Sequence, residues 1–177
     1  KEQSPAIKPL ATELIDSVEN YVKANGLDPM RYNIEIKCRK GKDEGKNWPE
    51  YHEFVDKCME LLLSKNLGDR LVVQCFDARA LNYMHEKYPQ VKLSYLISKK
   101  DTDWDTYMGK LNFTPEWLSP EFVIVDQAMV DNCRKAGIRL VPWTVDNEAD
   151  IRRILDLHVE AIITNYPDRV LKITRGY

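Results

Sequence analysis

Glycine and histidine are scarce in this chain, at 7 and 3 of 177 residues. No Gly-x-Gly-x-x-Gly segment follows a strand-like run, which argues against a glycine-rich turn cradling a dinucleotide. No apolar run approaches the roughly 20 residues needed to span a bilayer, and no basic, apolar, small-residue leader opens the chain at Lys1. On that ground the chain reads as soluble. Whether it works in the cytoplasm or outside it depends on any sequence ahead of Lys1. Charge of one sign is also lacking: 26 basic side chains face 28 acidic ones, a net charge of -2, and they are spread rather than blocked. That distribution leaves no footprint for nucleic acid or an anionic membrane and points to a small-molecule partner. The four cysteines, Cys38, Cys58, Cys75 and Cys133, lack the close pairing of zinc sites and sit in apolar patterns, as buried thiols do. Neither proline nor glycine marks a linker, so residues 1–177 are expected to form a single domain.

What the sequence does contain is alternation. Ile7, Leu10, Ala11, Leu14, Ile15, Val18, Tyr21 and Val22 recur at helical spacing before Gly26. Strand-like runs then follow at 32–37, 70–76, 91–96, 122–125, 139–145 and 160–164, with amphipathic helices between them. The helix after 70–76 starts at Asp77, and the helix after 122–125 is capped by Asp126 and stopped by Gly137. Six nearly continuous apolar strands, each followed by a helix, imply a parallel sheet covered by helices. An open doubly wound sheet and a closed barrel both satisfy this pattern.

Three strand ends carry residues that a core does not need. In Asn33-Ile34-Glu35-Ile36-Lys37 the period of two places the isoleucines on one face and Glu35 and Lys37 on the other. The charged pair is either an interior ion pair, a solvated edge or a functional group. Gln74 and Phe76 share a face at the next strand end, where Phe76 could equally face the helices and Gln74 the solvent. Trp143, near the end of 139–145, either walls a pocket or fills the top of a barrel. His52 and His85 lie within helices, and His158 lies in a turn that precedes a strand. None follows a strand, where barrel chemistry sits, so no catalytic residue is visible in this chain.

Taken in order, the segments 32–37, 72–81, 141–146 and 161–169 resemble the glycerophosphodiester phosphodiesterase family over residues 30 to 170. The resemblance implies a (β/α)8 TIM barrel of the phospholipase-C-like phosphodiesterase type, present here as six βα units. It implies that Glu35 binds a divalent cation, Ca2+ or Mg2+, and that Lys37 approaches the substrate phosphate. Gln74 and Phe76 then lie at the mouth of the substrate pocket, with Trp143 as its aromatic wall. A hard cation neutralises phosphate charge while a lysine adds a point charge to the same oxygens.

Departures from the family pattern include His158 and Ala161 where small residues precede the last strand, and Asn165 where aspartate is frequent. Larger is the absence of the family's opening strand with its His-Arg pair, its further acidic cation ligand and its second histidine. The first two βα units are therefore expected outside this chain, in a preceding segment or a partner chain. The implied reaction is metal-dependent hydrolysis of a glycerophosphodiester to glycerol 3-phosphate and an alcohol. Two alternatives stand beside it: a non-catalytic glycerophosphodiester-binding barrel, and a barrel phosphodiesterase acting on phospholipids.

Overall fold

A computed structural model describes residues 8–38, 40–41, 44–101 and 103–175. Among them five strands form one parallel sheet in the order β1-β2-β3-β4-β5: Tyr32–Glu35, Leu71–Cys75, Lys92–Ile97, Trp117–Pro120 and Arg139–Leu140. Seven helices accompany them: α1 Ala11–Ala24, α2 Tyr51–Leu63, α3 Ala78–Lys87, α4 Trp104–Met108, α5 Gln127–Ala136, α6 Glu148–Asp156 and α7 Pro167–Arg175. Strand order follows chain order, as it does when every crossover has the same hand and the sheet curls toward a barrel. The register places Glu35 beside Gln74, Gln74 beside Ser94 and Ser94 beside Trp117.

Two of the six expected strands are absent. Phe122–Ile124 is a turn of 3-10 helix, and the strand of that unit lies earlier, at Trp117–Pro120. A short apolar run such as Phe122-Val123-Ile124-Val125 has no periodicity of its own, whereas Leu118 and Ser119 alternate between core and sheet interior. Residues 160–164 are not a strand either. They keep two backbone bonds to the neighbouring segment, from Val145 N to Ile163 O and from Ile163 N to Pro142 O. The stretch 139–145 is assigned as strand only at Arg139–Leu140, although Val141 N and Trp143 N still donate to Leu118 O and Pro120 O.

Helix ends follow local chemistry. Asp77, Asp126 and Asn147 cap α3, α5 and α6 by accepting from Arg79 N, Met129 N and Asp150 N. Past α5, Gly137 takes the left-handed φ of 71° that a side chain resists. On α1, Ile15 and Val22 are buried while Leu14 and Tyr21 remain exposed, and Ile7 lies outside the described residues. Helix α2 buries Val55, Met59 and Leu62 at intervals of four and three.

The core lies between the sheet and its helices. It takes Ile36, Val73, Cys75, Leu93, Tyr95, Ile97, Leu118 and Leu140 from one side of the strands and their continuations, and Met59, Leu81, Met84, Val130 and Ile154 from the helices. The opposite side of the sheet is more polar. There the Asn33 side chain donates to Gln74 Oε1 at 3.0 Å, and the Ser94 and Ser119 hydroxyls are hydrogen bonded at 2.7 Å. Phe76, past the end of β2, meets Trp143, past the end of β5, edge to face with centroids 5.6 Å apart. Elements three places apart in the sheet order touch only if the sheet curls, so this polar side is the inside of an open barrel. It encloses about 390 Å³, lined by Asn33, Val72, Ser94, Ser119, Val141 and Arg139 among others.

Candidate functional site

The residues that sequence alternation singled out stand at the other end of that interior, where the strands finish. In β1 and the residues that continue it, Ile34 and Ile36 pack into the helix-side core, which turns Glu35 and Lys37 the opposite way. Lys37 Nζ pairs with Glu35 Oε2 at 2.8 Å, with side chains 75% and 25% exposed respectively. The pair is thus at a solvent-open rim rather than a sealed interior, and the lysine can leave the carboxylate for another anion at small cost.

Gln74 is buried, not solvated, with its carbonyl oxygen occupied by Asn33. Phe76 does not face the helices: it is 46% exposed and leans edge-on against Trp143. The Trp143 indole donates to Ser119 O at 2.8 Å, which fixes the ring across the inside of the sheet. The peptide between Trp143 and Thr144 is cis. Together these groups give the strand-end mouth a cation, a carboxylate, an amide pair of which Gln74 is buried, and an aromatic corner.

Sequence reasoning missed three supports of this arrangement. Asn33 lies two residues before Glu35 and so on the same face, a signal available from alternation alone. Ser119 escaped because the strand was expected five residues later. Asp146 is the third: its carboxylate accepts from Asn165 N, Asn165 Nδ2 and Thr164 Oγ1, and Asn165 N–H foremost holds it below the usual carboxylate range. This cluster ties the loop after Trp143 to the segment leading into α7. Asn165 serves there as a donor, a role that aspartate would not fill.

The histidines are elsewhere. His85 stacks on Phe113 at 4.1 Å, His52 packs edge-on against Tyr51 and Tyr83, and His158 occupies a left-handed turn after α6. Among the described residues no three His, Cys, Asp or Glu side chains converge to hold a metal ion. A hard divalent cation takes six or more oxygens, so Glu35 supplies at most part of such a site. All four cysteines are free thiols, with Cys75 and Cys133 buried and Cys38 and Cys58 half-buried.

Residues 4–169 match the Glycerophosphoryl diester phosphodiesterase family. The chain belongs to the glycerophosphodiester phosphodiesterase family. A glycerophosphodiester phosphodiesterase of Bacillus subtilis is 30% identical over 120 residues, 67% of this chain and 41% of the relative. One from Caldanaerobacter subterraneus is 24% identical over 71% of this chain and 51% of its own. This chain therefore spans about half the length of these relatives. Among solved structures, a phosphodiesterase of Oleispira antarctica in complex with the product sn-glycerol-3-phosphate superposes with a TM-score of 0.73 at 20% identity, over 94% of this chain and 61% of that one. The Silicibacter pomeroyi family member gives 0.74 at 21% identity, over 93% and 56%. The fold is that of the phosphodiesterase (β/α) barrel, carried here by five assigned strands rather than the six expected.

Proposed function

We propose that the complete glycerophosphodiester phosphodiesterase hydrolyses a glycerophosphodiester to glycerol 3-phosphate and an alcohol, and that this chain supplies one wall of its site. The observation that carries this reading is the Glu35–Lys37 pair, exposed at the strand-end mouth of a family-member barrel. Lys37 serves as the point charge for the phosphate oxygens. Phe76 and Trp143 form the aromatic wall against the substrate's carbon skeleton, and the Asn33–Gln74 amide pair stiffens the floor between them. Glu35 contributes one oxygen to a divalent cation, Ca2+ or Mg2+, which would neutralise phosphate charge. The described residues hold one such ligand, so no step is assigned to the ion. Glycerol 3-phosphate as product is supported by its presence in the Oleispira neighbour.

General acid and base are not among the histidines of this chain, whose three rings are engaged or placed away from the mouth. The reading assigns proton transfer to histidines on further βα units, which pair with the free edge of β1. That edge has no strand partner among the described residues, and Leu14, Tyr21, Leu27 and Met30, in the segment that leads into β1, are exposed apolar side chains.

The test is kinetic, on the full-length protein with glycerophosphocholine. Lys37→Gln is expected to lower kcat/KM about tenfold to a hundredfold, the usual worth of a hydrogen bond to a charged group. Glu35→Gln is expected to raise the cation concentration needed for half-maximal rate. Wild-type behaviour of both variants would remove the assignment. A full-length protein that binds glycerophosphocholine without cleaving it would instead support the non-catalytic barrel.

A further inference from the structure

Three of the four free thiols come together where β1 and β2 end. Cys75 is the last residue of β2, Cys38 follows the neighbouring β1, and Cys58 lies on α2 against the same core. None of them has a role in the function proposed above.

The path of the chain brings Cys38 back to Cys75 instead of past it. Parallel pairing sets Glu35 beside Gln74, and Ile36 N donates to Gln74 O at 2.9 Å, so Cys75 stands level with Ile36. An extended chain would carry Cys38 two residues beyond that point. Cys38 N, however, donates to Ile36 O at 3.2 Å, a three-residue turn that folds it back. Alternation puts Val73 and Cys75 on the helix side of β2, and Cys38 packs against that same core. The Cys75 sulfur points to the strand end, where it accepts from Asp77 N at 3.4 Å. Adjacent strands lie about 4.8 Å apart and a disulfide joins Cα atoms about 4.4–6.8 Å apart, so a cysteine folded back onto the neighbouring strand end is within bonding range.

The two thiols also share protons. Foremost a hydrogen bond from the Cys38 thiol, then the Asp77 and Cys38 N–H groups, hold the Cys75 thiol below its usual range against the effect of burial. The same bond, with burial, pushes Cys38 up. One proton therefore leaves the pair readily while the other stays between the sulfurs. Cys58 is pushed up as well, by burial first and then by Cys75 nearby. Access is unequal: Cys38 is half-buried and opens onto a cavity of about 520 Å³ next to Phe76, whereas Cys75 is 1% exposed. A reachable sulfur backed by a buried second one is the arrangement of a thiol that oxidises and is then resolved by its neighbour.

We propose that Cys38 and Cys75 form a peroxide-sensitive dithiol that closes to a reversible disulfide. The Cys38 thiolate, with the remaining proton on Cys75, attacks one oxygen of hydrogen peroxide. The O–O bond breaks, Cys38 becomes a sulfenic acid, and the departing hydroxide takes up the proton released earlier as water. The Cys75 sulfur then displaces the sulfenic hydroxyl, which leaves as a second water with the Cys75 proton, and the S–S bond forms. Two thiols lose two electrons and two protons, and one peroxide becomes two waters. Lys37 precedes Cys38 and Phe76 follows Cys75, so the bond tethers together two side chains that line the mouth. An effect on turnover would rest on the phosphodiesterase reading; the cross-link does not.

The experiment treats the reduced full-length protein with hydrogen peroxide and maps its peptides by mass spectrometry. The expected product is lighter by two hydrogens, joins the Cys38 and Cys75 peptides, and reverts with dithiothreitol. Cys38→Ser should abolish the cross-link, and Cys58→Ser should leave it in place. The wild-type map decides the matter even if a variant folds poorly. A cross-link through Cys58 in place of Cys38, one between molecules, or oxidation of either thiol to a sulfinic acid without a cross-link would overturn the proposal. The bond is read by mass, so its failure and a failure of the kinetic test on Lys37 and Glu35 are told apart.

Discussion

At the level of single residues, the contact that shapes the mouth is the one between Phe76 and Trp143. Their rings meet at 85° with centroids 5.6 Å apart, the geometry in which a positive ring edge faces a negative ring face. Such pairs are worth about 0.5–1.5 kcal/mol beyond buried area. A double-mutant cycle with Phe76→Leu and Trp143→Leu, read by urea unfolding of the full-length protein, is expected to return a coupling in that range. Additive effects would mean that the two rings do not meet and that the aromatic wall is not formed. Lys37 belongs to a different class: at 75% exposure its bond to Glu35 contributes little to stability, so its substitution should register in turnover and not in the unfolding midpoint.

Elements are held by their ends. Helix α5 begins at Asp126, whose carboxylate accepts from Met129 N at 2.8 Å, and closes on Gly137 in the left-handed region. Asp126→Ala should therefore cost about 1 kcal/mol in chemical denaturation with no change of fold, and Asp126→Asn should recover most of it. Between elements, Glu19 of α1 accepts both nitrogens of Arg70 at 2.7 Å and the Tyr32 hydroxyl at 2.6 Å, clamping the helix to the start of β2 and to β1. The Arg70 guanidinium foremost, with Tyr32, holds the Glu19 carboxyl down to about 2. A carboxyl whose folded value is depressed stabilises the fold fully above its unfolded value near 4.3, and that contribution is lost as pH falls toward 2. Glu19→Gln is thus expected to be less stable than wild type at pH 7, with the difference shrinking from about pH 5 downward and gone near pH 2. A difference independent of pH would show that the clamp acts through packing instead.

For the whole molecule, the decisive feature is an open barrel. Five strands in chain order leave the far edge of β1 without a strand partner among the described residues, and the last segment, 160–164, holds its neighbour by two backbone bonds. Such an edge pairs readily with another chain. No helix among the described residues is long and apolar enough to cross a membrane. Produced as these 177 residues alone, the chain is expected to show no cleavage of glycerophosphocholine above background, because a positioned acid or base contributes about 10²–10⁴-fold and no histidine stands at a strand end among the described residues. Turnover at the rate of the complete relatives by a monomer of 20.7 kDa would overturn that expectation.

The βα alternation, the caps at Asp77 and Asp126, the stop at Gly137 and the opposite faces of Ile34 and Glu35 were all legible in the sequence, because each rests on contacts within a few residues. Family membership was legible too, since four short motifs in order carry it. What only the tertiary structure decided depends on contacts between distant residues. The strand of the fourth unit is Trp117–Pro120 because Ser119 finds Ser94 across the sheet, and the apolar run after it becomes a turn. Phe76 faces Trp143 because the sheet curls, and Gln74 is buried because Asn33 occupies its oxygen. Residues 160–164 fall short of a strand because only two backbone bonds, Val145 N to Ile163 O and Ile163 N to Pro142 O, join them to the neighbouring segment. Period and capping act along the chain, whereas curvature and edge pairing act across it, and a single sequence states only the first directly.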